Sequence, residues 1–350
     1  MSRPQQSISF DRYANTFKHP QGPGDARPTA LQIIKDEDLE GQLSDKIVLI
    51  TGGSSGIGIE TARALAHTGA KIVLGVRDVP KAKAVLEDIL KDKSIGESPL
   101  EIIEMDLNFL DSVRKAAEAF LDKRNKLNIL INNAGIGGVV EGRTSDGFES
   151  HFGVNHLAHF LLFQLLKDTL IASSTPTFQS RVIAVGSLIH RLSPTLLSDP
   201  NFGSTPYDPA LAYASSKTAN TWFANHLERL YANKGIHAIS LHPGAINSGL
   251  QRFHAPEYQE MMQKAIPEED MPGLMKTFKS LEQGAATTVL AAVGRAFEGE
   301  GGIYLDDCQV APLYDPKDKI YAPGYAAHAF DEAGEEKLWQ MSLKMVGLGK

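Results

Sequence analysis

"KIVLITGGSSGIGIETARALAHTG", residues 46–69, decides how the chain is read. It begins with an apolar, β-branched run, passes straight into glycines, and leaves them in a helical pattern. A short continuous apolar run closed by glycine suits a strand buried on both faces. Gly52, Gly56 and Gly58 allow a tight turn and a close backbone approach, just where the next helix presents free N–H groups and the positive end of its dipole. Such a junction can cradle a pyrophosphate. The spacing is G-x-x-x-G-x-G and departs from the commoner G-x-G-x-x-G of dinucleotide sites.

The same rhythm continues outward. "KIVLGV" (71–76), "LEIIEM" (100–105), "LNILIN" (127–132), "RVIAVG" (181–186), "HAISLH" (237–242) and the weaker "GIYL" (302–305) read as strands. Helical stretches separate them, among them one from about Lys81 to Leu90 and "DSVRKAAEAFLDK". Alternating apolar strands and helices predict an α/β chain: a Rossmann-type, doubly wound parallel sheet of about seven strands with helices on both faces, in a single domain. Residues 45–310 form that domain. Residues 1–44, with the breaker-rich "HPQGPGDARP", are expected as a partly ordered arm on the surface, and residues 311–350 as a C-terminal extension.

Composition narrows the classes. The 350 residues are 42% hydrophobic and 22% charged, enough to bury a core. A net charge of −7 offers no footprint for nucleic acid or an anionic membrane. The lone Cys308 excludes an intrachain disulfide and suits a reducing compartment. No apolar run reaches the ~18–20 residues of an integral membrane segment. The start "MSRPQQSISFDRYANTF" lacks the apolar core of a secretory signal, so a cytoplasmic location is expected.

Chemistry gathers where strands end. The fourth ends in Asn132-Asn133-Ala134-Gly135, and Asn155 follows in an amphipathic helix. The fifth ends at Gly186-Ser187, and "YASSK" puts Tyr213 and Lys217 four residues apart. Residues so spaced share one helix face. A tyrosine ordinarily titrates near ~10, and a nearby ammonium lowers a pKa by roughly 1–3 units. The pair is therefore suited to moving a proton.

Taken together and in this order, TGxxxGxG, NNAG, Ser187, YxxxK and "LHPG" resemble the short-chain dehydrogenase/reductase family, over about residues 45–310. "VNHLAHFLL", "SLIHR" and "QGAATTVLAAV" are similar to its retinol dehydrogenase and WW-domain oxidoreductase branch, here without WW domains. The resemblance implies hydride transfer between a nicotinamide cofactor and a carbonyl/hydroxyl pair, with Tyr213 as acid/base. It implies that Ser187 bonds the carbonyl oxygen, that Lys217 bonds the nicotinamide ribose, and that Asn155 orders a water that relays the proton. It also implies cofactor contacts from Gly52, Ser54, Ser55, Gly56, Ile57 and Gly58, and from Asp106 and Leu107 at the adenine. Asn133, Ala134, Gly135, Tyr213, Lys217, Pro243, Gly244, Ile246 and Ser248 complete the cofactor set, Ser248 standing where the family usually has threonine.

The second strand ends "GVRD". Val76 stands where an acid would hold a ribose 2′-hydroxyl, and Arg77 follows with the guanidinium fork that suits a 2′-phosphate. NADP is the expected cofactor. Asp78 is expected to cap the next helix. His151, His156 and His159 have no cysteine or carboxylate arranged to complete a metal site, so no metal is expected. Two segments exceed what compact members carry: residues 188–212, with prolines at 194, 200, 206 and 209, and residues 249–280, with Met261, Met262, Met271 and Met275. Both are expected to form a hydrophobic lid over a bulky, lipophilic substrate. Two alternatives stay open. One is an epimerase or dehydratase using the same Tyr–Lys pair, though those relatives carry a different glycine spacing. The other is a non-catalytic NADP-binding protein, which would be expected to have lost Tyr213 or Ser187. A homodimer is left open.

Overall fold

The computed structural model describes residues 9–96 and 99–349. Among them, eight strands form one sheet: β1 (Ile47–Thr51), β2 (Lys71–Val76), β3 (Leu100–Glu104), β4 (Ile129–Asn132), β5 (Ser180–Val185), β6 (Ile236–Leu241), β7 (Ile303–Asp306) and β8 (Gln309–Val310). Their order is β3-β2-β1-β4-β5-β6-β7-β8. All pair in parallel except β7 with β8, a short antiparallel edge beyond the seven expected strands. The chain runs outward from β1 to β3 and then crosses back to place β4 beside β1. That reversal opens a crevice at the carboxyl ends of β1 and β4, where sheets of this kind bind ligands.

The helices are α1 (Ala14–Phe17), α2 (Ala30–Asp36), α3 (Ile57–Ala66), α4 (Val79–Ile89), α5 (Leu110–Lys123), α6 (Ala158–Ser173), α7 (Pro209–Tyr231), α8 (Pro256–Ala265), α9 (Met271–Thr277), α10 (Leu281–Gly284), α11 (Ala286–Val293) and α12 (Glu332–Met345). Side chains of successive strand residues point to opposite faces. Val48 and Ile50 thus enter one core with α2, α3 and α11, while Leu49 enters the other with α5, α6, α7 and α12. Asp78 caps α4 by accepting from the Lys81 N–H at 2.9 Å.

The N-terminal segment differs from the surface arm that its composition suggests, and the C-terminal extension also packs into the fold. Residues 1–8 lie outside the described residues, but α2 buries Ile33 and Ile34 completely in the first core. Its short polar neighbours hide a real packing element from a composition reading. At the other end, α12 seats Trp339 among Phe160, Phe223 and His226, with ring centres 4.9, 6.0 and 5.1 Å away. The Asn225 amide donates to Ala329 O and Glu335 Oε1, each at 2.9 Å, and fastens the approach to α12. The C-terminal extension closes the second core. Among the described residues, no helix is long and apolar enough to cross a membrane.

Trp339→Ala should therefore cost about 3–5 kcal/mol, the range for emptying a buried aromatic site. Urea denaturation would show it as a lower midpoint, with Trp339→Phe losing less. A midpoint equal to wild type would mean that α12 is not part of the cooperative core.

Candidate active site

The crevice begins at the glycine turn. Gly52 (φ +71°) passes so close to the chain after β4 that a Cβ there would lie 2.9 Å from Ala134 Cα. A Cβ on Gly58 would stand 2.4 Å from Gly52 O, so glycine lets α3 start hard against the strand. Gly58 serves that packing and does not face the cavity, whereas Gly52, Ser54, Ser55, Gly56 and Ile57 do. Gly56, at the N-terminus of α3, provides no side-chain cap, which leaves first-turn N–H groups directed to the crevice. These features fit a dinucleotide phosphate. Further round the same wall stand Arg77, Asp106, Leu107, Asn133, Ala134, Gly135, Pro243, Gly244, Ile246 and Ser248. Arg77 is exposed, and no ion pair of it is recorded among the described residues. Asp106 accepts from the Asn108 N–H at 2.9 Å, which fixes the turn after β3. Ser248 caps the short turn Gly249–Phe253 together with Gln251.

On the catalytic side, α7 carries Tyr213 and Lys217 on one buried face. Both border the cavity with Ser187, which caps the turn Leu188–Leu192. Burial pushes the Tyr213 phenol up to about 12, and the nearby Ser187 hydroxyl offsets this only in part. Lys217 donates to Val185 O at 2.9 Å and lies 5.9 Å from the phenol ring centre. Burial pulls its ammonium down to about 8. The expected lowering of the tyrosine by this lysine is thus absent from the protein by itself: desolvation moves both groups toward their neutral forms. At neutral pH the phenol is protonated and can give a proton to an oxygen placed between it and Ser187.

Asn155 stands behind these three: a Cβ on Gly135 would lie 3.0 Å from its Oδ1 and 3.4 Å from Lys217 Nζ. It sits in a π-helical turn, Phe152–Leu157, fully buried and off the cavity wall. Its amide donates to Ile136 O and Ser216 Oγ and accepts from the Ile136 N–H, all at 2.9 Å. The side chain thereby fixes the backbone after Gly135 and leaves no amide hydrogen for a water. Beside it, His159 Nδ1 donates to Asn155 O at 2.9 Å, and Nε2 accepts from the Thr51 hydroxyl at 2.8 Å.

Several contributors escaped the sequence reading. His151 Nδ1 donates to Glu149 at 2.8 Å, and its Nε2 accepts from the Val139 N–H at 3.2 Å. The His151 ring stands 5.7 Å from that of Tyr213. Tyr207, from the proline-rich segment, donates to Val139 O at 3.1 Å. Of residues 188–212, only Leu188, Ile189, Arg191 and Leu192 reach the cavity; the rest packs aside. The segment 249–280 does cover it: Tyr258 sits edge-on to Tyr213 at 6.3 Å, with Met261 and Met262 in the same apolar cluster. Met271 and Met275 face outward. Part of the wall comes from the C-terminal extension, including Leu313, Tyr314 and Tyr321. Ser187, Tyr213 and Lys217 thus share one cavity with a glycine turn at the switch point of a doubly wound sheet, the place where this fold class binds nucleotides.

Comparison with known proteins gives the class its family. The model of the short chain dehydrogenase family matches residues 46–259, and the chain belongs to that family of oxidoreductases. It is 48% identical over 340 residues to the short-chain dehydrogenase/reductase prx1 of Penicillium rubens, covering 97% of this chain and 96% of that protein. Human retinol dehydrogenase 11 is 35% identical over 88% of this chain and 87% of its own, and human polyprenol dehydrogenase 34% over 87% and 86%. Among solved structures, an uncharacterized protein of Mycobacterium paratuberculosis superposes with a TM-score of 0.67 at 30% identity, over 93% of this chain and 99% of that one. The RhlG/NADP complex of Pseudomonas aeruginosa gives 0.59 at 25%, over 77% and 96%.

The buried histidines around the site carry a pH dependence. Desolvation holds His156 down to about 3, His159 to about 4 and His190 to about 3, and pulls His242 well below its ordinary value. Unfolded, each titrates near ~6.5, so between about pH 6.5 and 4 the unfolded chain binds more protons. Their stabilising contribution is complete above that window and falls as the pH drops through it, by about 1.4 kcal/mol per histidine per pH unit at most. Urea midpoints should decline steeply from pH 7 to 5, and less so in His156→Gln. A flat profile would contradict the neutral assignment.

Proposed function

We propose that the protein catalyses NADP-linked interconversion of a carbonyl and a hydroxyl on a bulky, lipophilic small molecule, with Tyr213 as the acid/base. The observation that carries this reading is a single cavity of about 1880 Å³ running from the glycine cradle past Tyr213 to the lid. Ordinary small-ligand pockets span ~300–1,000 Å³, so there is room for a dinucleotide and a large second ligand. The walls beyond Tyr213 are mainly apolar, with Ile189, Leu192, Leu250, Phe253, Met261 and Met262 among them. Relatives named for retinol and for polyprenol support an alcohol of this kind.

A nicotinamide dinucleotide, when bound, supplies or takes up the hydride. The chain's own residues do the rest. The turn 52–57 holds the phosphates, Asp106 and Leu107 border the adenine, and Arg77 pairs with a 2′-phosphate. Ile246 and Ser248 flank the nicotinamide end, where Lys217 holds the ribose. Ser187 donates to the carbonyl oxygen and keeps it beside the phenol, and Tyr213 delivers its proton there as negative charge develops. In the reverse direction Tyr213 accepts the hydroxyl proton. The lid and the C-terminal extension exclude water from the exchange.

Kinetics on a series of ketones of rising apolar size should show catalytic efficiency climbing with bulk. In the same assay Tyr213→Phe should lower turnover by about 10²–10⁴ or more, with NADPH titration unchanged. Best activity on small polar carbonyls would sink the substrate class; wild-type turnover in the Phe variant would sink the acid/base role.

Cofactor choice has its own test. Arg77→Ala removes the guanidinium proposed to pair with the 2′-phosphate, so it should weaken NADPH far more than NADH in fluorescence titrations. Equal losses for both would dismiss that role.

A further inference from the structure

Two arginines far apart in the sequence, one buried and one half-buried, grip the segments that wall the substrate side of the cavity. Arg27, in the N-terminal arm, is 4% exposed. Its guanidinium donates to Thr277 O at 2.7 Å and to Phe278 O at 2.6 Å, at the end of α9. Asp25 orients the fork by accepting from Nε at 2.8 Å, and Gln283 donates to Arg27 O at 3.2 Å. Those carbonyls terminate a helix and have no partner within it, so a fixed guanidinium there both satisfies and anchors them. Phe278 faces the cavity directly after the clamp.

Arg191 does the same for the C-terminal strap, residues 311–327. Its guanidinium donates to Ile320 O at 3.2 Å, to Ala322 O at 2.7 Å, and to Gly324 O at 3.0 and 2.7 Å. It also lies 4.0 Å from the ring centre of Tyr314. Arg191 rides on the turn capped by Ser187, and its neighbour His190 donates to Ser187 O at 2.7 Å while accepting from the Ala326 N–H at 3.1 Å. The strap is thus registered to the serine beside the reacting oxygen. It then bears on the lid. Lys319 pairs with Asp270 at 2.5 Å, and the Tyr321 hydroxyl sits so close to Gly273 that a Cβ there would stand 2.4 Å from it.

We propose that the two ends of the chain hold the lid closed over the substrate cavity, the N-terminal arm through Arg27 and the C-terminal strap through its seat on Arg191 of the Ser187 turn. Both are positioning residues that set the size of substrate the cavity accepts. The size selection rests on the cavity being the seat of a bulky apolar substrate; the clamping does not. Neither arginine touches the reacting atoms. A lysine cannot replace either, because an ammonium lacks the planar fork that reaches several carbonyls at once.

The test combines amide hydrogen exchange with kinetics on the full chain, using Arg27→Met, Arg191→Met, Arg191→Lys and Gly273→Val. The last is confined to the lid and wedges against Tyr321, so it tests the seat even where an arginine variant fails to fold. Peptides from α8, α9 and the strap should exchange about tenfold faster or more, while those from β1, β4 and β5 keep wild-type rates. Efficiency on the largest apolar ketone should fall by about tenfold, chiefly through KM, and more than on the smallest. The Lys variant should behave like the Met variant. Unchanged exchange of lid and strap in all variants would overturn the clamp whatever the substrate proves to be. Faster exchange with an unaltered size preference would overturn the role in selection. Faster exchange, in a protein whose wild type gains nothing from apolar bulk, supports the clamp and strikes only the substrate reading.

Discussion

One hydroxyl holds the centre of this protein together. Thr51 Oγ1 accepts the N–H groups of Asn133 and Ala134, each at 3.0 Å, and donates to His159 Nε2 at 2.8 Å. Thr51 O receives the Asn133 amide at 2.9 Å. These bonds join the carboxyl ends of β1 and β4 at the point where the sheet reverses its winding. Adjacent parallel strands must part there, since their connections leave in opposite directions. Without this acceptor the Ala134 N–H would be unmatched, at about 1–3 kcal/mol, and the Asn133 N–H would keep only Ile131 O at 3.1 Å. The hydroxyl therefore allows the crevice to be open and its backbone to be satisfied.

From Thr51 the constraint spreads along α6. His159 can accept from the hydroxyl only as the neutral tautomer with its proton on Nδ1, and that proton goes to Asn155 O. Asn155 then holds both backbone groups of Ile136. The π-helical turn at Phe152–Leu157 is what brings this side chain to the loop after β4. A widened turn of this kind is costly and is found mostly where function demands a displaced residue. The floor of the cleft is thus a rigid chain of neutral polar contacts, while the roof is assembled from lid and strap.

Legibility in the sequence follows the range of the interactions. Strand positions were readable because the central strands are buried on both faces and so nearly all apolar, as in "KIVLIT" and "LNILIN". The Asp78 cap and the Tyr213–Lys217 face are local, fixed by spacings of three and four residues along a helix. What escaped is long-range. Nothing near Arg191 in the sequence indicates that its partners lie at 320–324, and nothing in "HPQGPGDARP" indicates that Arg27 grips 277–278. Asn155 was legible as a position but not as an orientation, because a π-helical turn shifts the register that a regular helix would impose. Likewise, the proline-rich 188–212 was correctly unsuited to a regular helix, yet its polar anchors, such as Tyr207 on Val139 O, draw most of it away from the cavity.

Burial sets the resting state of the catalytic pair. It moves both groups toward their uncharged forms, Tyr213 up to about 12 and Lys217 down to about 8. A neutral phenol at neutral pH is the form that donates to a developing alkoxide, so burial favours the reducing direction of the proposed reaction. Oxidation asks for the opposite form, a phenolate able to take the hydroxyl proton. Ser187 favours that form, but more weakly than burial opposes it. A positive charge brought within about 4–6 Å would shift the balance by roughly 1–3 units. Lys217 cannot supply all of it while its ammonium is committed to Val185 O, 5.9 Å from the ring centre. Under the proposed role of Tyr213, the direction of proton transfer follows the charge of whatever occupies the cleft beside it, and the chain's own contribution is the burial that lets that charge count.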